Sequence, residues 1–311
     1  MEPLPAAASV ALAPVLTGPI RPVEVTASLP SAIHLATGSD RCPALCLATS
    51  DAVRLPNALV VAGPLVGGHI VAGHAGRLPA VRVGQRGMVG NGRLAVAGFT
   101  VRVTRWWRPP RPRRLADAGA NRLGVGFTVL EGLAPDPLDA GGRAAVLLLV
   151  RALHANEHAK PDEDGVRART EQHVERDHAV ADGVRQLLGR GPGLTPVGDD
   201  VLAGALVTLR ALASPAADRL ADAVQAAAPT RTTAVSVAVL HHAARGECTP
   251  ALATLLEAVR SGGALRPAAD ELLRLGHTSG AGLLWGVLTG LAVTGHGRGT
   301  GSTHQSGGTS A

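Results

Sequence analysis

The chain is poor in aromatic residues, with no tyrosine, two phenylalanines and three tryptophans among 311 residues. Its core is therefore expected to be aliphatic, drawn from the Ala, Val and Leu that dominate a 46% hydrophobic content. Cysteine is scarce too. Cys42, Cys46 and Cys248 leave one thiol unpaired, which argues against a disulfide framework and points to a reducing cytoplasm. No run reaches the roughly 18 apolar residues that a membrane span needs. The best candidates, Ala144 to Val150 and Leu283 to Val293, are too short, so no membrane partner is expected. The first segment is rich in Ala and Pro, with Glu2 and no early basic residue, which makes a poor secretory signal.

Lysine is nearly absent: Lys160 stands alone among 30 basic residues. Acidic residues are few in the first part. Residues 1–130 hold 14 basic and 5 acidic side chains, and residues 131–311 hold 16 and 19. The bias toward arginine reads as compositional pressure, so the net charge of +6 is weak support for nucleic-acid binding. What the chain has in quantity is glycine (39) and proline (22), hence many loops. Its length suffices for one large domain or two ordinary ones. Its apolar fraction and modest net charge exclude disorder throughout.

The expected fold class is α+β, an N-terminal mostly antiparallel β domain followed by a C-terminal α-helical domain. Residues 1–20 read as a loosely ordered N-terminus and 21–107 as the β-rich domain. Residues 108–142 read as linker, 143–293 as helical domain and 294–311 as a Gly/Ser/Thr-rich disordered tail. Strands are expected over Val23–Leu29, Ala44–Thr49, Ala58–Val61 and Ala80–Val83, with a hairpin at Asn91-Gly92. Phe99, Val101 and Val103 continue its second arm on one face. After Gly142 the apolar period changes to that of helices, beginning with Ala144–Ala155 and ending with Gly282–Val293.

The most informative segment runs from Leu188 to Gly204. A helix ends, Gly189, Gly191, Gly193 and Gly198 punctuate a loop, and an apolar helix begins at Asp199-Asp200. Closely spaced glycines let backbone approach a ligand. A helix start offers free N–H groups that favour phosphate or carboxylate. Two carboxylates there are less expected if the only ligand is an anion, so Asp199 and Asp200 are candidates for holding Mg²⁺ that bridges to the anion. The spacing fits neither a P-loop nor a dinucleotide fingerprint. The bland alternative is an ordinary loop with Asp199 as N-cap.

A second loop, Gly276-His277-Thr278-Ser279-Gly280-Ala281-Gly282, has the same design: aligning Gly198 on Gly280 places Gly204 on Gly286. Either the two loops form a divided site, or they are helix-packing turns in which Gly204 and Gly286 permit close contact. Thr195, Thr278 and Ser279 supply hydroxyls, and His277 is a candidate acid, base or anion donor. A third helix start, Thr230-Arg231-Thr232-Thr233-Ala234-Val235-Ser236, offers Arg231 as an anion clamp and Thr232, Thr233 and Ser236 as ligand hydroxyls, or else a plain Thr cap. His154 and His158 share helical spacing but sit among charged residues of a solvated segment. Arg105-Trp106-Trp107-Arg108 through Arg114 interleaves bases and rings in a way that suits single-stranded nucleic acid, or a basic interdomain loop.

The run Gly191-Pro192-Gly193-Leu194-Thr195-Pro196-Val197-Gly198-Asp199-Asp200 resembles the signature of the AllH-type subunit of oxamate carbamoyltransferase. That family shows serine where Val197 stands. Its later Gly-His-Ser-Ser-Gly-x-Asp motif reads here as Gly276 to Gly282, with glycine in place of the final carboxylate. The Thr232–Ser236 start and the Pro56-Asn57 step are similar to family positions too. The resemblance implies a carbamoyltransferase subunit that acts with other subunits on oxalurate, phosphate, oxamate and carbamoyl phosphate, all small anions.

Joined to the loop chemistry, it implies Asp199, Asp200 and His277 as catalytic candidates. Gly191, Gly193, Thr195, Gly198, Arg231, Thr232, Thr233, Ser236, Thr278, Ser279 and Gly280 are the ligand-binding candidates, with Mg²⁺ as the candidate cofactor. The absent carboxylate at Gly282 motivates an alternative, a non-catalytic anion-binding or assembly subunit.

Overall fold

The computed structural model describes residues 2–61, 65–66, 69–70, 77–157 and 166–296. Ten strands come first: β1 (Leu4–Ser9), β2 (Arg21–Ser28), β3 (Ala32–Ser39), β4 (Cys42–Ala48), β5 (Ala58–Val61), β6 (Leu65–Val66), β7 (His69–Ile70), β8 (Arg86–Gly90), β9 (Arg93–Val96) and β10 (Phe99–Trp107). Eight of them close into a barrel in the order β1-β10-β9-β8-β2-β3-β4-β5, while β6 and β7 pair separately.

The closed barrel corrects the expected mostly antiparallel β domain. Two of its pairings are parallel: β1 with β10 from Leu4↔Val101 to Ser9↔Trp107, and β4 with β5 from Cys46↔Ala58 to Ala48↔Val60. The physical reason lies in β1. Its N-terminal residues are not a loose arm; they fill the gap between β10 and β5, which otherwise would be two unpaired edges. The sequence Leu-Pro-Ala-Ala-Ala-Ser hides this strand because it lacks β-branched residues, yet Ala6 and Ala8 are buried. Ile33, Leu35, Leu45, Leu47, Leu59, Leu94 and Val101 fill the aliphatic core. β3 was missed as well, and Ala80–Val83 is not a strand. That segment instead passes beside β2, where the Val81 amide donates to Ser28 Oγ at 3.3 Å.

The Asn91-Gly92 hairpin is present, with Gly90 opposite Arg93 and both turn residues at positive φ (49° and 73°). This is the twist-compatible turn for a two-residue loop.

The helices are α1 (Ala13–Leu16), α2 (Ala120–Leu133), α3 (Ala140–Glu157), α4 (Val166–Leu187), α5 (Val197–Ala211), α6 (Ala216–Arg231), α7 (Ala234–Ala243), α8 (Pro250–Ser261), α9 (Leu265–Leu273) and α10 (Ser279–Val293). α2 lies in the segment expected to be linker. Of the expected tail, residues 297–311 lie outside the described residues, as does His158. His154 Nδ1 is 2.7 Å from the Val293 carbonyl, tying α3 to the end of α10.

α5 and α10 form the centre of the helical half. Both are apolar on nearly all sides and almost wholly buried. They pack backbone to backbone. A Cβ at Gly286 would overlap the Val201 carbonyl oxygen and one at Gly204 the Leu283 carbonyl oxygen, while one at Gly290 would lie 2.7 Å from Thr208 Cβ. The repeating design of the two loops is thus in part a packing device, since each feeds one helix of this pair.

The Pro/Arg segment after β10 runs across the helical half. The Cys248 amide donates to the Pro110 carbonyl at 3.0 Å, and Arg111 pairs with buried Glu247 at 2.7 Å. Arg54 stacks 5.4 Å from the Trp107 ring centre. Part of the Arg/Trp stretch is therefore engaged internally.

Candidate functional site

The two Gly-rich loops converge. Thr195 Oγ1 of the first and Ser279 Oγ of the second are 2.9 Å apart. The third hydroxyl-rich start joins the first loop from the other side. Thr233 caps α7 by accepting from the Ser236 amide at 3.1 Å, and its hydroxyl donates to the Leu194 carbonyl at 2.5 Å. Ser236 Oγ also reaches that carbonyl, at 3.4 Å.

Asp199 and Asp200, neighbours in sequence, do different work. Asp199 is 2% exposed and has both oxygens engaged. Oδ1 accepts from the Gly189 amide at 2.8 Å, and Oδ2 accepts from the Thr232 hydroxyl. It thereby staples the end of α4, the loop and the start of α7. Burial pushes its carboxyl above the usual range, opposed by the Thr232 and Gly189 donors. Asp199 therefore ties these segments together and does not line the cavity described next.

Asp200 is 3% exposed, and its Oδ2 has no hydrogen-bond partner. It lines a cavity of about 280 Å³ between barrel and helices. Burial pushes its carboxyl up to about 8; the Ser279 hydroxyl pulls it down, the nearby charge of Asp199 adds to the rise, and Thr195 pulls it down. At neutral pH it largely keeps its proton and can donate as well as accept.

The helix starts are less open to an anion than the glycine spacing suggests. The first amides of α5 are already taken: Gly198 donates to the Arg190 carbonyl at 3.0 Å, and Asp199 and Asp200 donate to the Pro196 carbonyl at 2.9 and 3.2 Å. At the second loop, Gly280 donates to the Leu275 carbonyl at 3.0 Å. Several glycines serve packing: a Cβ at Gly198 would overlap the Leu187 carbonyl oxygen, and one at Gly280 the Leu272 carbonyl oxygen. Gly282, where the resembling family has a carboxylate, lies against α5; a Cβ there would sit 2.7 Å from Asp200 Cβ.

Gly191, Gly193, Arg231 and His277 are exposed and do not line the cavity; Thr278 is half-buried at the start of α10. With Asp199 saturated, the two aspartates do not present a joint cation site. Among the described residues, no group of three or more His, Cys, Asp or Glu side chains is placed to hold a metal ion.

Sequence reasoning missed the barrel side of the cavity and the start of α8. His34 of β3, Glu247 and Thr249 all line it. His34 is 5% exposed, its Nδ1 has no partner, and burial pushes it down to about 4, so it is neutral. Thr249 Oγ1 also lacks a partner. Glu247 is saturated: Oε1 accepts from Arg111 and Oε2 pairs with His242 Nδ1, both at 2.7 Å. Those partners hold its carboxyl down at about 2 despite burial, which acts the other way. One signal was available, a histidine inside the apolar run Ala32-Ile33-His34-Leu35-Ala36.

Among the described residues, no helix is long and apolar enough to cross a membrane. No solved structure matches the chain. Residues 187–291, the stretch that carries both loops and α5 to α10, match the family model described as oxamate carbamoyltransferase subunit AllH, and this match supports the AllH-type resemblance of the loop residues.

Proposed function

We propose that this chain is a subunit of a carbamoyltransferase-type complex and that its interdomain cavity receives the carbamoyl end of a small substrate of the oxalurate and oxamate kind. The observation that carries the reading is Asp200: a buried carboxyl with one free oxygen, flanked by hydroxyls from two converging loops, inside a stretch that matches the AllH family.

In the reaction the resemblance implies, phosphate oxygen bonds to the carbamoyl carbon of oxalurate. The bond from that carbon to the oxamate nitrogen breaks, and the nitrogen takes up a proton. Protonated Asp200 is suited to supply that proton, its carboxyl being matched to neutral pH. Thr195 and Ser279 would direct hydrogen bonds at the carbamoyl oxygen as charge gathers there. No Lys or Arg lines the cavity, so the phosphate charge would be met by groups outside it. That division of labour agrees with a hetero-oligomer in which other subunits complete the site.

Thermal unfolding of the chain with oxalurate, phosphate and carbamoyl phosphate, each with and without Mg²⁺, tests the reading. A ligand at about 100 times its Kd adds roughly 2.7 kcal/mol, enough to raise the midpoint by several degrees. The expected result is a shift with oxalurate that Asp200→Asn abolishes. A shift that survives Asp200→Asn, with no turnover in the complete complex, would support the assembly-subunit reading, which the exposed His277 and the glycine at 282 favour.

A further inference from the structure

The cavity has polar groups that the carbamoyl reading does not use, His34 and Thr249. Among the described residues, eight buried side-chain polar atoms lack a hydrogen-bond partner. Three of them, Asp200 Oδ2, His34 Nδ1 and Thr249 Oγ1, belong to residues that line this one cavity. They come from three separate elements: α5, β3 and the residue before α8. Buried polar groups are ordinarily paired, and three exceptions around one space mark where a ligand supplies the missing partners.

Apart from the hydroxyls of Ser31, Thr195 and Ser279 and the matched carboxylate of Glu247, the rest of the wall is mainly apolar, including Val53, Leu55, Val207, Val239 and Leu252. The space of about 280 Å³ is large against the roughly 30 Å³ that one water occupies. Its charge state is as informative. No cation lines it, and its two carboxyls are Asp200, which faces no cation, and Glu247, already matched by Arg111 and His242. A free anion entering would shed its hydration with nothing to pair it.

We infer that the cavity takes an uncharged ligand body, an apolar group bearing amide, ureide or imide donors and acceptors, held by Asp200, His34 and Thr249. This inference rests on the carbamoyl reading only in sharing Asp200. The unmatched oxygen of Asp200 can donate its O–H to an amide carbonyl or accept an amide N–H. Neutral imidazole and a threonine hydroxyl can each donate or accept, so they match either a carbonyl or an N–H of the same ligand.

The test is calorimetric titration of the full chain at pH 7 with phenylurea and with N-phenyloxamate, which share the ring and differ in charge. Phenylurea is expected to bind, and N-phenyloxamate to bind at least about tenfold more weakly. Thr249→Val removes the unpartnered hydroxyl at a helix start where it makes no capping bond. Val239→Phe fills the space from a half-buried position. Each is expected to weaken phenylurea about tenfold while the unfolding midpoint stays level or rises. Should Val239→Phe not fold, Thr249→Val carries the test alone.

Equal or tighter binding of the anion would overturn the inference, as would phenylurea binding that neither variant alters. An oxalurate shift lost in Asp200→Asn, alongside no phenylurea binding, would overturn it and leave the carbamoyl reading standing. Phenylurea binding with oxalurate silent would do the reverse.

Discussion

Replacing Asp200 by asparagine is expected to make the protein more stable and less able to bind. The shape is kept, and the titrating group is lost. The wild-type carboxyl has its ordinary value of 3.8 raised to about 8 by burial. Between those values the folded protein holds a proton that the unfolded chain releases. The sign follows from linkage: this group's contribution is full below pH 3.8, declines as pH rises, and levels off above about 8. The slope is tenfold in the folding equilibrium per pH unit, about 1.4 kcal/mol.

His34 opposes it on the acid side. Its value is lowered from 6.5 to about 4, so stability falls as pH drops through that window. The clean interval is therefore pH 6.5 to 8, where the stability difference between Asp200→Asn and wild type should widen by about 2 kcal/mol. Urea unfolding at half-unit pH steps measures it. Curves for the two proteins that run parallel over this interval would refute the assignment of a proton to buried Asp200. Gain of stability with loss of ligand response is the trade expected of a functional residue held at a cost to the fold.

Thr232→Val leaves Asp199 Oδ2 buried without its donor and should cost about 1–3 kcal/mol in urea unfolding. Ligand response should largely persist, because Asp199 does not line the cavity. Gly286→Ala forces a methyl into the Val201 carbonyl at the α5–α10 crossing, and an unfolding-midpoint drop corresponding to about 3 kcal/mol is expected. Gly282→Asp, which restores the carboxylate of the resembling family, should also lower the midpoint rather than add activity, since its Cβ would sit 2.7 Å from Asp200 Cβ. Glu247→Gln should remove acid-side stability that wild type has above pH 4.5 and loses as pH falls toward 2.

How much of this was legible in the sequence varies by element. Helical periodicity located α3 to α10 within a few residues, because an amphipathic or wholly apolar helix carries its burial pattern in consecutive positions. The Asn91-Gly92 turn was legible because its backbone demands positive φ at two adjacent residues. The corresponding β9–β10 turn was not: Ala97 takes φ 50° beside Gly98, and alanine announces no such turn. β1 was invisible for another reason. An Ala-rich strand between β5 and β10 is held there by partners some 50 and 100 positions away, and no local pattern encodes such pairing.

By itself, the sequence determined the order of a β-rich half followed by a helical half, and it singled out the Gly191–Asp200 and Gly276–Gly282 loops as candidates, since loop chemistry is written in consecutive residues. It could not separate Asp199 from Asp200. Only the tertiary structure turned one toward Gly189 and Thr232, where it is saturated, and left the other at a cavity with an oxygen unmatched. Nor did any local pattern bring His34, from the barrel, to the same space as Asp200 and Thr249. Adjacent residues on a helix point some 100° apart, and the pKa of each depends on what the rest of the fold packs around it.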